Sequence, residues 1–309
     1  MNIIQRQNHN TQGIFCLLGG VALLTISDAI VKWLSPQLAM HEIMLFRSLF
    51  AMIIVALIIK LEGGFAILKT RRPGLHFLRG FMLVLANMFF FLGLSVMPLA
   101  ETLALFFTAP LFICLLSQPI LGESVTRSGW LAIFLGLAGV IIMLKPGTDV
   151  FHLASLLPVF AALSYASMQM MTRKLGRQEK AATMTFYIQL AFIITSCIIG
   201  LSLGDGRFSP GNDQMLDFLL RAWVWPDFAA FKLLAFCGLL ISLSGYLLSQ
   251  AYRIGQATVI APFEYTSLPF ALLLGYYLWG DWPDLVAFVG SGLIIGSSLL
   301  VVYLQKRKK

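Results

Sequence analysis

Four ionisable residues, Asp28, Arg47, Arg79 and Glu264, sit inside apolar stretches, and Lys32 follows Asp28 by four positions. A charge at the centre of a bilayer costs about 2.5 to 3.5 kcal/mol on insertion scales, so each retained charge needs a partner or a task. Asp28 lies near the end of the first apolar run and Arg47 near the start of the second. At 1.5 Å of rise per residue, their depths are roughly 8 and 11 Å, which predicts an ion pair. Lys32 shares the helix face of Asp28 in the favourable acid-before-base order. The cluster can join two helices, or it can bond a ligand and relay a proton.

Glu264 and Arg79 make a second set. Counted from the other side of the membrane, they lie at depths of about 12 and 5 Å, a gap that a long arginine side chain can bridge. A locking pair, a gate and a direct ligand contact all fit this placement. Tyr265 follows Glu264 between Pro262 and Pro269, which remove backbone donors and loosen the helix there. The freed carbonyls can face a ligand, and a plain packing kink is the other reading.

Uncharged groups with directed hydrogen bonds come next. Asn87, Tyr165, Gln169 and Gln250 are the first choices for contacting a heterocycle, with Glu101, Thr108, Gln118, Tyr187, Gln189, Tyr246 and Tyr252 behind them. Polar side chains in membrane bundles also serve as interhelical glue. The run Phe89-Phe90-Phe91 and the pair Phe106-Phe107 must point in several directions at 100° per residue, so some face lipid while one or two can stack on a flat ligand.

These residues are carried by ten apolar runs, at about 13–33, 40–60, 76–97, 100–121, 127–144, 151–173, 183–204, 231–253, 256–278 and 284–304. Crossing a hydrocarbon core needs about 20 residues as helix, and a lipid-exposed backbone must satisfy its own hydrogen bonds. The expected fold is an all-α polytopic membrane protein with ten transmembrane helices. Composition agrees, with 59% hydrophobic and 12% charged residues. The first run is longer than a signal-peptide core and is read as a mature helix. Cys16, Cys114, Cys197 and Cys237 have no paired spacing, and His9, His41, His76 and His152 have no metal-ligand spacing, so neither a disulfide framework nor a metal site is expected. Without a phosphate-binding glycine loop or a nucleophile with its base, the chain is expected to be no enzyme and to need no cofactor.

The net charge of +8 is not a nucleic-acid signal, because its placement follows the membrane. With a cytoplasmic amino terminus, sixteen of the 22 Lys and Arg residues fall on the cytoplasmic side, including Arg72, Arg173, Arg253 and the tail from Lys306 to Lys309. Both termini are therefore expected in the cytoplasm. Trp223 and Trp225 close the one long loop and are expected at the outer interface, where indoles favour the headgroup level.

Two segments share an order of landmarks. Thr108-Ala109-Pro110-Leu111-Phe112, then Gly122-Glu123, then Gly136 and Gly139 are echoed by Ser267-Leu268-Pro269-Phe270, then Gly280-Asp281, then Gly292 and Gly296. The shared order points to duplication. Five spans per half is an odd number, so halves 1–146 and 147–309 must insert in opposite senses. Inverted repeats place a cavity at their interface near mid-bilayer, opened to each side in turn by rocking. Gly292 and Gly296 suit close helix packing inside the chain, with a homodimer contact as the alternative.

Ser27-Asp28-Ala29-Ile30-Val31-Lys32, Phe46-Arg47-Ser48, Arg72-Pro73, Leu78-Arg79-Gly80, Ala109-Pro110-Leu111-Phe112, Gly122-Glu123, Ala261-Pro262-Phe263-Glu264-Tyr265 and Pro283-Asp284 together resemble the EamA family of the drug/metabolite transporter superfamily. The resemblance implies ten helices in two inverted five-helix repeats, in a bacterial inner membrane. It implies a secondary transporter of a small organic metabolite, with the first-half pattern most similar to the branch that takes up riboflavin or S-adenosylmethionine. Export of amino acids, drugs or other metabolites is the alternative, and coupling to protons through Asp28 or Glu264 stays open. A channel, which more often shows a repeated polar filter or ring, fits less well.

Overall fold

The computed structural model describes residues 3–96, 102, 105–144, 156–176, 178–209, 214–279 and 285–306. Those residues form helices α1 (Ile3–Leu34), α2 (Met40–Glu62), α3 (Pro73–Val96), α4 (Ala109–Leu121), α5 (Arg127–Leu144), α6 (Leu156–Leu175) and α7 (Ala181–Leu203). They continue with the short α8 (Gln214–Leu220), then α9 (Phe228–Ile254), α10 (Ala257–Ile260), α11 (Ser267–Trp279) and α12 (Leu285–Lys306). Among the described residues, six stretches, including Met40–Glu62 and Phe228–Ile254, are long and apolar enough to cross a bilayer, and three shorter apolar helices accompany them.

Local chemistry sets the boundaries. Pro73 opens α3 at a position where a missing N–H costs nothing. Asp227 caps α9 by accepting a 2.7 Å hydrogen bond from the Ala230 N–H. Gly122 ends α4 with φ 68°, a left-handed conformation that spares the strain a Cβ would add, and its N–H bonds back to the Gln118 carbonyl.

Two runs expected to be continuous are not. The run at 100–121 is interrupted: the helical residues Thr102, Leu105 and Phe106 are followed by a turn at Phe107 and Thr108 before α4 begins at Ala109, and Glu101 lies outside the described residues. The run at 256–278 breaks at Ala261–Thr266 into a tighter 3-10 turn. Pro262, which cannot donate, sits at the start of that turn, whereas Pro269 is absorbed into the first turn of α11.

Helix pairing follows a pattern. The most extensive contacts join α1 to α9 and α3 to α6, α2 to α7, and α5 to α12, while α4 lies on α6 and α1 lies on the α10–α11 segment. Small residues allow the closest approaches: a Cβ on Gly139 would stand 2.8 Å from the Gly290 carbonyl oxygen, and one on Gly238 would stand 2.8 Å from that of Arg47. Gly292 and Gly296, expected to pack internally, have no neighbour within 4 Å of a Cβ placed there. They lie on an open face of α12, because α5 meets that helix at Gly290, Leu293 and Ile294 instead.

One end of the bundle carries Lys60, Arg72, Arg173, Lys180 and Arg253 and is laced by polar bonds. This is the basic end of the bundle. At the opposite end, Phe218 of α8 enters an apolar cluster with Leu34, Leu38, Met40, Ile43 and Leu234. Trp223 packs there against His41 and Phe46, while Trp225 is 78% exposed.

Candidate functional site

The break in the α10–α11 segment places Glu264 in the interior, 8% exposed. Its Oε1 accepts a 2.5 Å hydrogen bond from the Tyr252 hydroxyl of α9 and a 3.1 Å bond from the Tyr165 hydroxyl of α6. Gln169 is one helical turn beyond Tyr165, and its Nε2 donates 2.7 Å to the Tyr165 oxygen. The four side chains form one chain of donors converging on a carboxylate. Inside a low-dielectric bundle such a network fixes the carboxylate's position and orientation. Both donors to it are hydroxyls, which stabilise the oxygen without cancelling its charge.

Aromatic rings lead to this cluster. Phe218, Phe91, Phe90, Phe106 and Tyr165 follow one another with centroid separations of 5.7, 5.8, 5.1 and 5.9 Å. Phe107 continues from Phe106 to Tyr265 at 6.2 Å. Edge and tilted contacts of this kind are favourable ring arrangements, and together they make one packed aromatic row. Tyr265 itself is fully buried, its hydroxyl has no hydrogen-bond partner among the described residues, and its ring occupies the space that a side chain on Gly136 would need.

Arg79 is not the partner of Glu264 that the helix depths suggested. Its Nε donates 2.7 Å to the Thr172 hydroxyl, one terminal nitrogen 2.7 Å to the Met184 carbonyl, and the other 3.1 Å to the Ser249 hydroxyl. One guanidinium thus ties α3 to α6, α7 and α9, using the planar fork that lysine lacks. Depth counting fixes height along the membrane normal but not azimuth around the helix.

The Asp28–Arg47 pairing also takes another form. The two groups interact electrostatically, but no ion pair within 4 Å joins them, and Arg47 lies 5.9 Å from the centroid of the Phe192 ring. Asp28 and Lys32 are exposed on the side of α1 toward its carboxyl end. Asn87 is half-buried and donates to the Leu83 carbonyl of its own helix. Gln250 belongs to a separate 250 Å³ cavity at the basic end, lined also by Glu62, Lys180, Tyr246 and Arg253. There it accepts from Arg253, while the Tyr246 hydroxyl donates 2.5 Å to Glu62 and Lys180 donates to the Glu62 carbonyl.

Glu123 was legible only as part of a motif, yet it organises the basic end. One carboxylate oxygen accepts a 2.9 Å bond from Arg173 Nε and the other a 2.9 Å bond from the Ala257 N–H. Arg173 also donates to the Arg253 carbonyl, Arg253 to that of Glu179, and Asn10 and Gln256 bond reciprocally. His76 is buried beside Glu179 and stacked on Tyr187 at 4.3 Å. The spacing that would have revealed Glu123 is three-dimensional, because its partners lie 50 and 134 positions away.

This architecture is that of an all-helical polytopic membrane protein with an interior carboxylate on a broken helix. A family model described as the EamA-like transporter family matches the chain twice, over residues 11–145 and 152–303, and the chain belongs to that family. An S-adenosylmethionine uptake transporter from Rickettsia prowazekii (strain Madrid E) is 28% identical over 295 residues, covering 96% of this chain and 94% of that one. A riboflavin transporter from Vibrio cholerae serotype O1 is 28% identical over 305 residues, covering 98% and 96%. A pseudopaline exporter, CntI, from Pseudomonas aeruginosa is 25% identical over 296 residues, covering 95% and 96%. One solved crystal structure, 19% identical, superposes with a TM-score of 0.73 over 95% of this chain and 98% of that chain, a likeness of fold. The chain is a multi-pass bacterial membrane protein of a transporter family.

Proposed function

We propose that the protein is a secondary transporter that imports a small organic metabolite by alternating access, with S-adenosylmethionine or riboflavin as cargo. The observation that carries this reading is Glu264, a carboxylate held in the bundle interior by Tyr252, Tyr165 and Gln169 at the end of an aromatic wall. A buried negative charge that accepts from the neutral hydroxyls of Tyr252 and Tyr165 complements a cation, and the rings complement a planar base. S-adenosylmethionine carries both features, so it is the first cargo to test. The curated relatives named as uptake transporters support import, while the pseudopaline exporter keeps export as the alternative.

The mechanism needs two oppositely inserted halves, 1–146 and 147–309. The double family match and the reciprocal pairing of α1 with α9 and α3 with α6 support that layout. Ten crossings with both termini in the cytoplasm would put the basic end inside, as positive charge near cytoplasmic loops favours. In that orientation the Glu123–Arg173–Ala257 bonds close the cytoplasmic side, and Asp28 and Lys32 face the outer one. Rocking the halves would exchange those roles. Asp28 and Glu264 are the groups positioned to carry a coupling proton.

Purified protein in proteoliposomes should take up labelled S-adenosylmethionine saturably and show counterflow. The same ligand should raise thermal stability, since a ligand at 100 times its Kd adds about 2.7 kcal/mol to a folded state that alone binds it. Riboflavin, nucleosides and amino acids form the comparison panel. Non-saturating conductance, or no stabilisation by any member of the panel, would overturn this reading.

A further inference from the structure

A second cavity of about 240 Å³ lies away from Glu264, between α2, α3, α7 and α8. Its lining is mainly apolar, with Met44, Val84, Leu92, Phe192 and Leu219 among it; Asn87, Thr195 and Ser196 also line it, and His41 lies at one end. His41 is 3% exposed, and among the described residues neither ring nitrogen has a hydrogen-bond partner. The backbone of Leu219 stands beside the ring without completing a bond. A buried imidazole left this way forfeits hydrogen bonds that water or a ligand would supply, and that loss is normally avoided.

The cavity is long rather than round. Val84 to Leu92 spans eight residues of α3, or about 12 Å at 1.5 Å per residue. Its long axis therefore follows the helices, with His41 at the end of the bundle and Val84 toward the middle of the membrane. It also has a side door: α2 and α3 each pack on α7 but make next to no contact with each other. Met88, on the cavity wall, is 42% exposed and shares a face of α3 with the exposed Phe77 and Phe81. That face is an exposed apolar surface of the kind hydrocarbon covers, and Met88 joins the cavity to it.

We infer that this cavity holds one acyl chain of a membrane phospholipid, entering between α2 and α3, with an ester or headgroup oxygen accepting a hydrogen bond from His41. An apolar shaft along the membrane normal with a polar group at the headgroup level matches the two ends of a lipid. Flexible methionines at the wall adapt to a chain that lacks a fixed shape. The occupant is lipid from the surrounding bilayer, distinct from the transported molecule.

The test uses the full-length protein in phosphatidylethanolamine liposomes doped with phosphatidylglycerol that carries a diazirine midway along one acyl chain. After irradiation, labelled peptides are mapped by mass spectrometry. Labelling of Val84–Leu92 and Phe192–Leu203 should exceed labelling around the exposed Leu57 and Phe134 by at least fivefold. Val84→Trp and Ser196→Phe, which fill the cavity from different helices, should each remove that excess and leave the reference labelling unchanged. Even labelling of all lipid-facing segments would overturn the proposal, and the wild-type map gives that answer even if neither variant folds. Loss of the excess on adding S-adenosylmethionine or riboflavin would make the cavity part of the transport path and would also overturn it.

Discussion

Glu123 and Arg173 meet at 2.9 Å across the basic end of the bundle, joining the turn after α4 to the last turn of α6. The same carboxylate holds the Ala257 N–H at the start of α10, so one side chain spans both halves of the chain. If access alternates, this contact must break each time the basic end opens.

Glu123→Gln should therefore weaken closure at the basic end while keeping the Ala257 bond. Truncating one partner of a buried ion pair costs about 3 to 5 kcal/mol, and partial exposure of Arg173 lowers that toward a coupling of about 1 to 3 kcal/mol. A double-mutant cycle with Arg173→Gln, read by thermal unfolding in detergent, checks it. A cysteine placed at Gln250 should label faster from the basic side in Glu123→Gln, and unchanged labelling would deny the contact a gating role.

Glu264→Gln keeps an acceptor for Tyr252 and Tyr165 and removes the charge. Stability should change little, while affinity for S-adenosylmethionine should fall at least tenfold, equivalent to about 1.4 kcal/mol. Tyr252→Phe deletes a hydroxyl bonded to a charged group, worth about 1.5 to 3 kcal/mol, and should reduce both stability and uptake. Normal uptake by Glu264→Gln at normal abundance would reduce the carboxylate to a structural part.

Gly136→Ala drives a methyl to 2.4 Å from the Tyr265 ring. Overpacking of this sort costs about 1 to 3 kcal/mol, visible as a lower Tm, and Tyr265→Leu in the same chain should recover most of it. Tyr265→Phe alone should leave stability unchanged or raise it, since the hydroxyl it removes is buried without a partner.

Arg79→Lys keeps the charge but cannot serve Thr172, Met184 and Ser249 at once. Thermal stability should fall markedly despite the conservative exchange, and Arg79→Gln should behave no better. A lysine variant as stable as the parent would show that the three bonds matter less than the charge.

Much of this was legible in the chain itself. Apolar runs near 20 residues announced a helical membrane bundle because hydrocarbon leaves a backbone no other donor or acceptor. Gln169 follows Tyr165 by four positions, so helical geometry alone put both on one face, and Pro262 marked where the helix would loosen beside Glu264. The composition and the order of motifs also pointed to the transporter family.

What tertiary structure decided was partnership. Sequence gives a residue's height in the membrane through the rise per residue, but the direction of its side chain depends on how helices rotate against one another. For that reason Arg79 turned to Thr172 and Ser249 rather than Glu264, and Arg47 lay over Phe192 rather than pairing with Asp28. Tyr252 joined Glu264, and Glu123 bridged to Arg173 and Ala257, because packing brought together atoms that no local spacing relates.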